Sequence, residues 1–303
     1  MPAFWAWFVA AGTIAFIIWC VWLISWSAKQ GPQNVEDEDL VGHKWDGDLE
    51  EWNNPAPRWW LYFYFITIAW GAVYLIAYPG LGITKGLLNW SQEGQYEEEM
   101  QAAEARYEPI YEAFAAMDFE DLTKDPDALA LGRSLFAGYC TTCHGSDARG
   151  ATGYPNLTDD DWQWGSSERD IITTITNGRN AVMTPWAQIL GSDEAVDNMV
   201  QHVQSLSGIV DAGEVADSAK TQFTTFCAAC HMPTGTGNPI LGAPNLTDDI
   251  WLYGSSAEVI RTTIDQGRQG QMPAHGEFLG KNRTRILAAY VYSLSQQAFN
   301  ERQ

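Results

Sequence analysis

Cys140-Thr-Thr-Cys143-His144 and Cys227-Ala-Ala-Cys230-His231 set two thiols two residues apart with an imidazole directly after them. Three chemistries use such a turn: half of a zinc site, a redox dithiol, or covalent attachment of haem c. Structural zinc needs four ligands, usually two close pairs about 12 to 20 residues apart. Here the second pair lies 87 residues from the first, and the fifth cysteine, Cys20, stands alone in an apolar run where a thiol acts as a small hydrophobe. A thioredoxin-like dithiol calls for a βαβ setting and no obligatory histidine. Haem c explains every residue of the motif: on one helical turn Cys140 and Cys143, or Cys227 and Cys230, form thioethers to two vinyl groups, and His144 or His231 falls under the iron. The expectation is two covalent haems c.

The motif belongs to a repeat. "PNLTDDDWQWGSS" from Pro155 returns as "PNLTDDIWLYGSS" from Pro244, and "NGRNAVM" from Asn177 returns as "QGRQGQM" from Gln266, both offset by 89. Of seven methionines, Met183 and Met272 stand at equivalent positions in the two copies, and they are the expected sixth ligands of the irons. Met199 aligns with Leu287 or Ala288 and reads as core, and Met232, next to His231, cannot reach that haem's opposite face. His202 aligns with Tyr290 and His275 with Trp186, so packing or surface roles are expected of both; His43 reads as a solvated loop residue. Met/His ligation fills both axial sites and raises the reduction potential, which suits electron transfer and leaves no place for a substrate. The Pro155 and Pro244 carbonyls are candidates to hold the proximal imidazoles. Trp162, Trp251, Arg179 and Arg268 are candidates to hold the haem carboxylates.

Each copy, 125–208 and 209–303, reads as helix, motif, irregular stretch, short helix, methionine loop and closing helix, with no strand-like alternation. The fold class expected is all-α. A unit of about 80 residues with few large aliphatics is marginal alone, and a covalent porphyrin supplies the missing apolar volume. Residues 83–124 form an acidic helical linker in which Ser91 caps the first turn.

Ala3 to Ala28 holds 26 uncharged residues and Trp59 to Tyr78 another 20, each enough to span a hydrocarbon core of roughly 30 Å. The first run is too long for a cleaved signal peptide and has no basic residue before it. Residues 1–82 therefore read as a membrane anchor with helices at about 3–28 and 59–78. Eleven of the fifteen tryptophans crowd into the first 90 residues, as interfacial anchors do. Lys29, Lys44 and Arg58 between the helices, against Lys85 after them, lean weakly towards a cytoplasmic loop. A net charge of −21 argues against nucleic acid and for basic protein partners.

With these residues in place, the chain resembles the di-haem c subunit (subunit III) of cbb(3)-type cytochrome c oxidases. The two "CxxCH … PNL … W … Met" units resemble class I cytochrome c domains. "HKWDGDLEEWNNPAPRWWLYFYFITIAWGAVYLIAYPGLG" from His43, followed by "QYEEEMQAAEARY", resembles this subunit specifically. The resemblance covers nearly the whole chain. It implies two N-terminal transmembrane helices followed by two tandem cytochrome c domains, in a bacterial inner membrane with the haem units in the periplasm. It implies electrons taken from a soluble or membrane-bound cytochrome c and passed towards a mono-haem c subunit and a catalytic haem-copper subunit, with no active site in this chain. It also implies methionines exchanged between domains, Met272 over the haem on Cys140 and Cys143 and Met183 over the other; the repeat by itself leaves local and exchanged ligation open. The competing readings are a membrane-anchored di-haem shuttle or haem subunit of another respiratory complex, a di-haem peroxidase, and a zinc-binding scaffold.

Overall fold

The computed structural model describes residues 3–29, 40–52 and 57–301. Contacts divide the chain into two units, Met1–Ala105 and Arg106–Gln303. In the first unit, α1 (Ala3–Ser27) and α2 (Arg58–Ala77) fall within one residue of the limits expected from the uncharged runs. Both are long and apolar enough to cross a membrane. They expose their large side chains, among them Trp5, Trp7, Trp22 and Trp26 on α1 and Trp59 and Trp70 on α2. Helices apolar all round suit a lipid surround, because every backbone polar group is bonded within the helix. The segment between them, read from sequence as a plain loop, contains a hairpin of β1 (Leu40–Trp45) and β2 (Leu49–Trp52). Asp46 and Gly47 turn it with positive φ, and Lys44 pairs with Glu50 across it. The rest of that loop lies outside the described residues.

The acidic linker is helical as expected: α3 runs Gln92–Ala115, and Ser91 Oγ accepts the Gly94 N–H at 2.9 Å. The division between the units falls within it.

The second unit follows in the order α4 (Phe119–Leu122), α5 (Pro126–Tyr139), α6 (Thr141–His144), α7 (Glu168–Asn177), β3 (Arg179–Met183), α8 (Ala187–Leu190), α9 (Asp193–Leu206), α10 (Asp217–Gln222), α11 (Ala228–His231), α12 (Ala257–Gln266), β4 (Arg268–Met272) and α13 (Gly276–Glu301). Local chemistry explains most limits. Asp125 caps α5 by accepting from Asp127 N and Ala128 N, with Pro126 in the first turn where its missing N–H costs nothing. Ser167 and Ser256 cap the equivalent helices α7 and α12, and Gly178 and Gly267 end them. Ile171 and Ile175, like Ile260 and Ile264, stand four residues apart and bury one stripe of each.

The closing helices pack on the opposite copy. α13 lies on α5 and α7 of the first copy, whereas α9 lies on α10 and α12 of the second. Phe136 on α5 meets Tyr290 on α13 with ring centroids 5.7 Å apart, and its counterpart Phe223 meets His202 on α9 at 4.9 Å. The crossover occurs at the methionine segments. Read from sequence as loops, they are strands, and they pair with each other antiparallel: Arg179 faces Met272 and Met183 faces Arg268. A strand that finds its partner only in the other copy leaves no alternating pattern long enough to read. Past each strand the chain stays on the other copy, where His275 N donates to Ile175 O at 2.9 Å and Trp186 N to Ile264 O at 2.8 Å. Copies 125–208 and 209–303 are thus repeats of sequence, while packing combines α5–α7 with α13, and α8 and α9 with α10–α12. The architecture is otherwise helical, as expected.

Candidate functional site

Each CxxCH occupies one short helix, α6 or α11, entered from a longer one. The turn presents both thiols and the imidazole together: Cys140 and Cys227 are half-buried, Cys143 and Cys230 exposed, and His144 and His231 are each 9% exposed. The histidines are held identically. His144 Nδ1 donates to the Pro155 carbonyl at 3.1 Å, and His231 Nδ1 donates to the Pro244 carbonyl at 3.1 Å. A carbonyl only accepts, so Nδ1 carries the proton and Nε2 is left with its lone pair for a ligand. Burial holds both imidazoles below their ordinary range, which favours the neutral, ligating form. Burial, with the neighbouring thiol adding to it, pushes Cys140 and Cys227 each up to about 11. Among the described residues, no three His, Cys, Asp or Glu side chains converge as a metal cluster.

Around each turn lies an apolar wall. Cys140, Leu157, Trp162 and Met272 pack on a core of Leu135, Phe136, Ile171, Ile175, Leu279 and Leu287. Cys227, Leu246, Trp251 and Trp186 pack on Val196, Met199, Val200, Phe223, Ile260 and Ile264. Met199 is core, 1% exposed, and His275 lies near the surface, its Nδ1 against the Pro273 carbonyl. Met272, though encoded in the second copy, sits with the first copy's cysteine and tryptophan.

On the β3–β4 ribbon, Arg179, Ala181 and Met183 alternate with exposed neighbours, as do Arg268, Gly270 and Met272. In paired antiparallel strands these six half-buried residues share one face. One end of that face therefore carries Arg179 with Met272, and the other Arg268 with Met183. The approach is close: a Cβ on Gly178 would stand 2.3 Å from the Met272 carbonyl, and one on Gly267 would stand 2.2 Å from that of Met183. Both arginines are fixed from behind. Arg179 Nε donates to Thr174 Oγ1 at 2.8 Å with its guanidinium 4.7 Å above the Trp164 ring. Arg268 Nε donates to Thr263 Oγ1 at 2.9 Å, 4.3 Å above Tyr253. Trp164 and Tyr253 escaped the sequence reading, which chose the first aromatic of each "WQW" and "WLY" triplet. The second aromatic recurs at the same offset and was an equally visible signal.

The residues present fit haem c twice over: paired thiols on one turn, an imidazole with Nε2 free of its orienting bond, an apolar wall, and a methionine beside an arginine.

The comparisons with known proteins agree. Residues 37–85 match the N-terminal domain of cytochrome oxidase-cbb3, FixP, and residues 127–203 and 214–291 match cytochrome c oxidase, cbb3-type, subunit III. The chain is similar to a Cbb3-type cytochrome c oxidase subunit CcoP of Rubrivivax gelatinosus, 43% identical over 96% of this chain and 95% of that one. It is also similar to subunits FixP of Azorhizobium caulinodans, 37% identical over 84% of this chain and 92% of the relative, and of Bradyrhizobium diazoefficiens, 38% identical over 86% and 96%. Matches of this length across both sequence copies and the N-terminal segment show that the chain belongs to the subunit III family of cbb3-type cytochrome c oxidases, an electron-transfer subunit with cytochrome c domains.

Proposed function

We propose that the chain holds two covalent haems c and carries electrons from a donor cytochrome c, soluble or membrane-bound, towards a mono-haem c subunit and the catalytic haem-copper subunit. Bound at these sites, haem c supplies a one-electron iron couple. The protein's part is to attach, orient and enclose it. Cys140 with Cys143, and Cys227 with Cys230, hold it covalently; His144 and His231 supply Nε2 from below, aimed by Pro155 and Pro244. Trp162 and Trp251 line the pockets, while Arg179 and Arg268 meet the haem carboxylates. A methionine would be the further ligand of each iron, which would leave this chain no active site of its own. From Gly86 onward 30 Asp and Glu against 13 Lys and Arg make a surface that attracts a basic donor and fits no nucleic acid. Helices α1 and α2 cross the bacterial inner membrane as two passes, with the intervening loop cytoplasmic and the haem-bearing unit in the periplasm.

Ligation would be exchanged: Met272 would ligate the iron held by His144, and Met183 the iron held by His231. The observation that carries this is that Met272 packs on the same first-copy core as Cys140, Leu157 and Trp162, at the ribbon end it shares with Arg179. A chain with Cys227 and Cys230 replaced by serine keeps one haem, on the first site. In that background Met272→Ala should abolish the methionine-to-iron charge-transfer band and Met183→Ala should keep it; the reverse pattern would establish local ligation. A pyridine haemochrome of the purified oxidase should first give two haems c for this chain.

A further inference from the structure

The seam between the two copies brings the same two sequence positions together twice, through different atoms. Gly153 N donates to the Leu252 carbonyl at 2.9 Å, and at the equivalent place Gln163 Nε2 donates to the Gly242 carbonyl at 2.8 Å. Beside each bond an aromatic ring of one copy lies on a glycine of the other. A Cβ on Gly242 would stand 2.1 Å from Trp164 Cζ2, and one on Gly153 would stand 3.3 Å from Tyr253 Cε1. These are the rings that carry Arg179 and Arg268. Each guanidinium is further tied to its own short helix, Arg179 Nη2 to Asp170 O at 3.3 Å and Arg268 Nη2 to Val259 O at 3.4 Å. Its plane is thus set by a helix of its own copy and by a ring whose position depends on the opposite copy.

We propose that Trp164 and Tyr253 are positioning residues: each is seated by a glycine of the other copy and in turn places the arginine that meets a haem carboxylate, so the seam couples the potentials of the two sites. The proposal rests on the reading of Arg179 and Arg268 as carboxylate partners. A guanidinium held against a carboxylate offsets its negative charge, and that charge otherwise favours the oxidised iron. A ring pushed aside takes its arginine with it and lowers the potential of the site it serves. The effect crosses between copies: a change at Gly242, in the second copy, acts on the haem held by Cys140 and Cys143.

The test is potentiometric titration of the c haems in the purified oxidase complex. Arg179→Gln marks the first-site transition by lowering it. Gly242→Ala and Trp164→Leu should lower that same transition by about tenfold in the reduced-to-oxidised ratio, about 59 mV for a one-electron couple. Trp164→Tyr, which copies the residue at Tyr253, should leave it in place. Gly208→Ala controls for backbone strain, since Gly208 has φ +77 and open space where a Cβ would go; it should not move the transition. If Arg179→Gln shifts neither transition, the arginine reading fails. If it shifts one while Gly242→Ala and Trp164→Leu shift none, or if Gly208→Ala shifts the same one, the seam proposal is overturned. Should Gly242→Ala fail to assemble, the contrast of Trp164→Leu with Trp164→Tyr decides alone.

Discussion

The two copies share their candidate haem ligands and differ in parts of the frame around them. The proximal histidines, their proline carbonyls and the methionine–arginine ends of the ribbon are superimposable in role. The helix entering the motif is regular before Cys140 but widens to a π turn over Phe223–Cys227. After the histidine, Gly145 takes φ 78 in the first copy, whereas Met232 takes φ 64 in the second. Beyond Gly191 and Gly280 the closing helices begin with opposite charge. Ser192, Asp193 and Glu194 start α9, as the helix dipole favours, while Lys281 and Arg283 follow the break at Gly280 in α13. The adverse cations are taken up by tertiary partners: Arg283 by Glu108 on α3, and Arg285 by Glu168 and the Ala115 and Met117 carbonyls. Duplicated chemistry thus sits on a diverged frame, and the first copy has become the one that receives α3.

The largest test of this asymmetry is at the helix crossings. Gly132 on α5 lies where a Cβ would come within 2.5 Å of Tyr290 Cβ, while its counterpart Ala219 is accommodated at 0% exposure beneath α9. Gly132→Val should destabilise the haem-bearing unit by about 3 kcal/mol, the upper end for overpacking. Ala219→Gly should cost only about 1 kcal/mol. Thermal unfolding of the two variants compares them directly. Equal losses would mean that the two crossings are equally close. Next in size, Arg285→Ala strands two carbonyls and a carboxylate and should cost about 2 kcal/mol. Arg261→Ala, which releases the exposed Asp193 and Asp197 and the half-buried Asp265, should cost less than that.

This frame explains how far the sequence could be read. Uncharged runs delimited α1 and α2 to within a residue, because helices apolar all round declare themselves by composition alone. CxxCH was legible because attachment chemistry fixes spacing locally. The exchange of α9 and α13 was not, since both helices present the same apolar stripe, and a stripe does not say which core it enters. Met183 and Met272 could be chosen by equivalence, but their pairing is a property of register between strands over 80 residues apart. Trp164 and Tyr253 show a third kind of miss: their signal was repeated in plain sight, and only the stacked arginines give it meaning.

A smaller effect should come from the residue after the second histidine. Positive φ with ψ 156 is a conformation that favours glycine, and Met232 occupies it with a Cβ. Met232→Gly should stabilise the second site by about 1 kcal/mol, and Gly145→Ala should weaken the first by at least as much, because its Cβ would also stand 2.8 Å from Asp147 Oδ1. Denaturant unfolding that showed Met232→Gly to be destabilising would mean that the side chain, 40% exposed, makes a contact worth more than the strain.

The finest distinction is at the aromatic pair. Tyr290 in one copy is replaced by His202 in the other, a buried imidazole whose Nδ1 has no hydrogen-bond partner among the described residues. Burial, and then the charge of Lys220 on α10, hold it below the ordinary imidazole range. The unfolded chain therefore binds a proton at His202 before the native one does. Stability from this group is complete at neutral pH and above, falls as pH drops through the ordinary imidazole range, and levels off below the native value. His202→Tyr, which restores the residue of the first copy, should flatten that part of the stability–pH curve, while Tyr290→His should create a similar slope in the first. Measured between pH 7 and 5, an unchanged slope in His202→Tyr would show that the imidazole takes up its proton alike in both states and that the two copies do not differ in this respect.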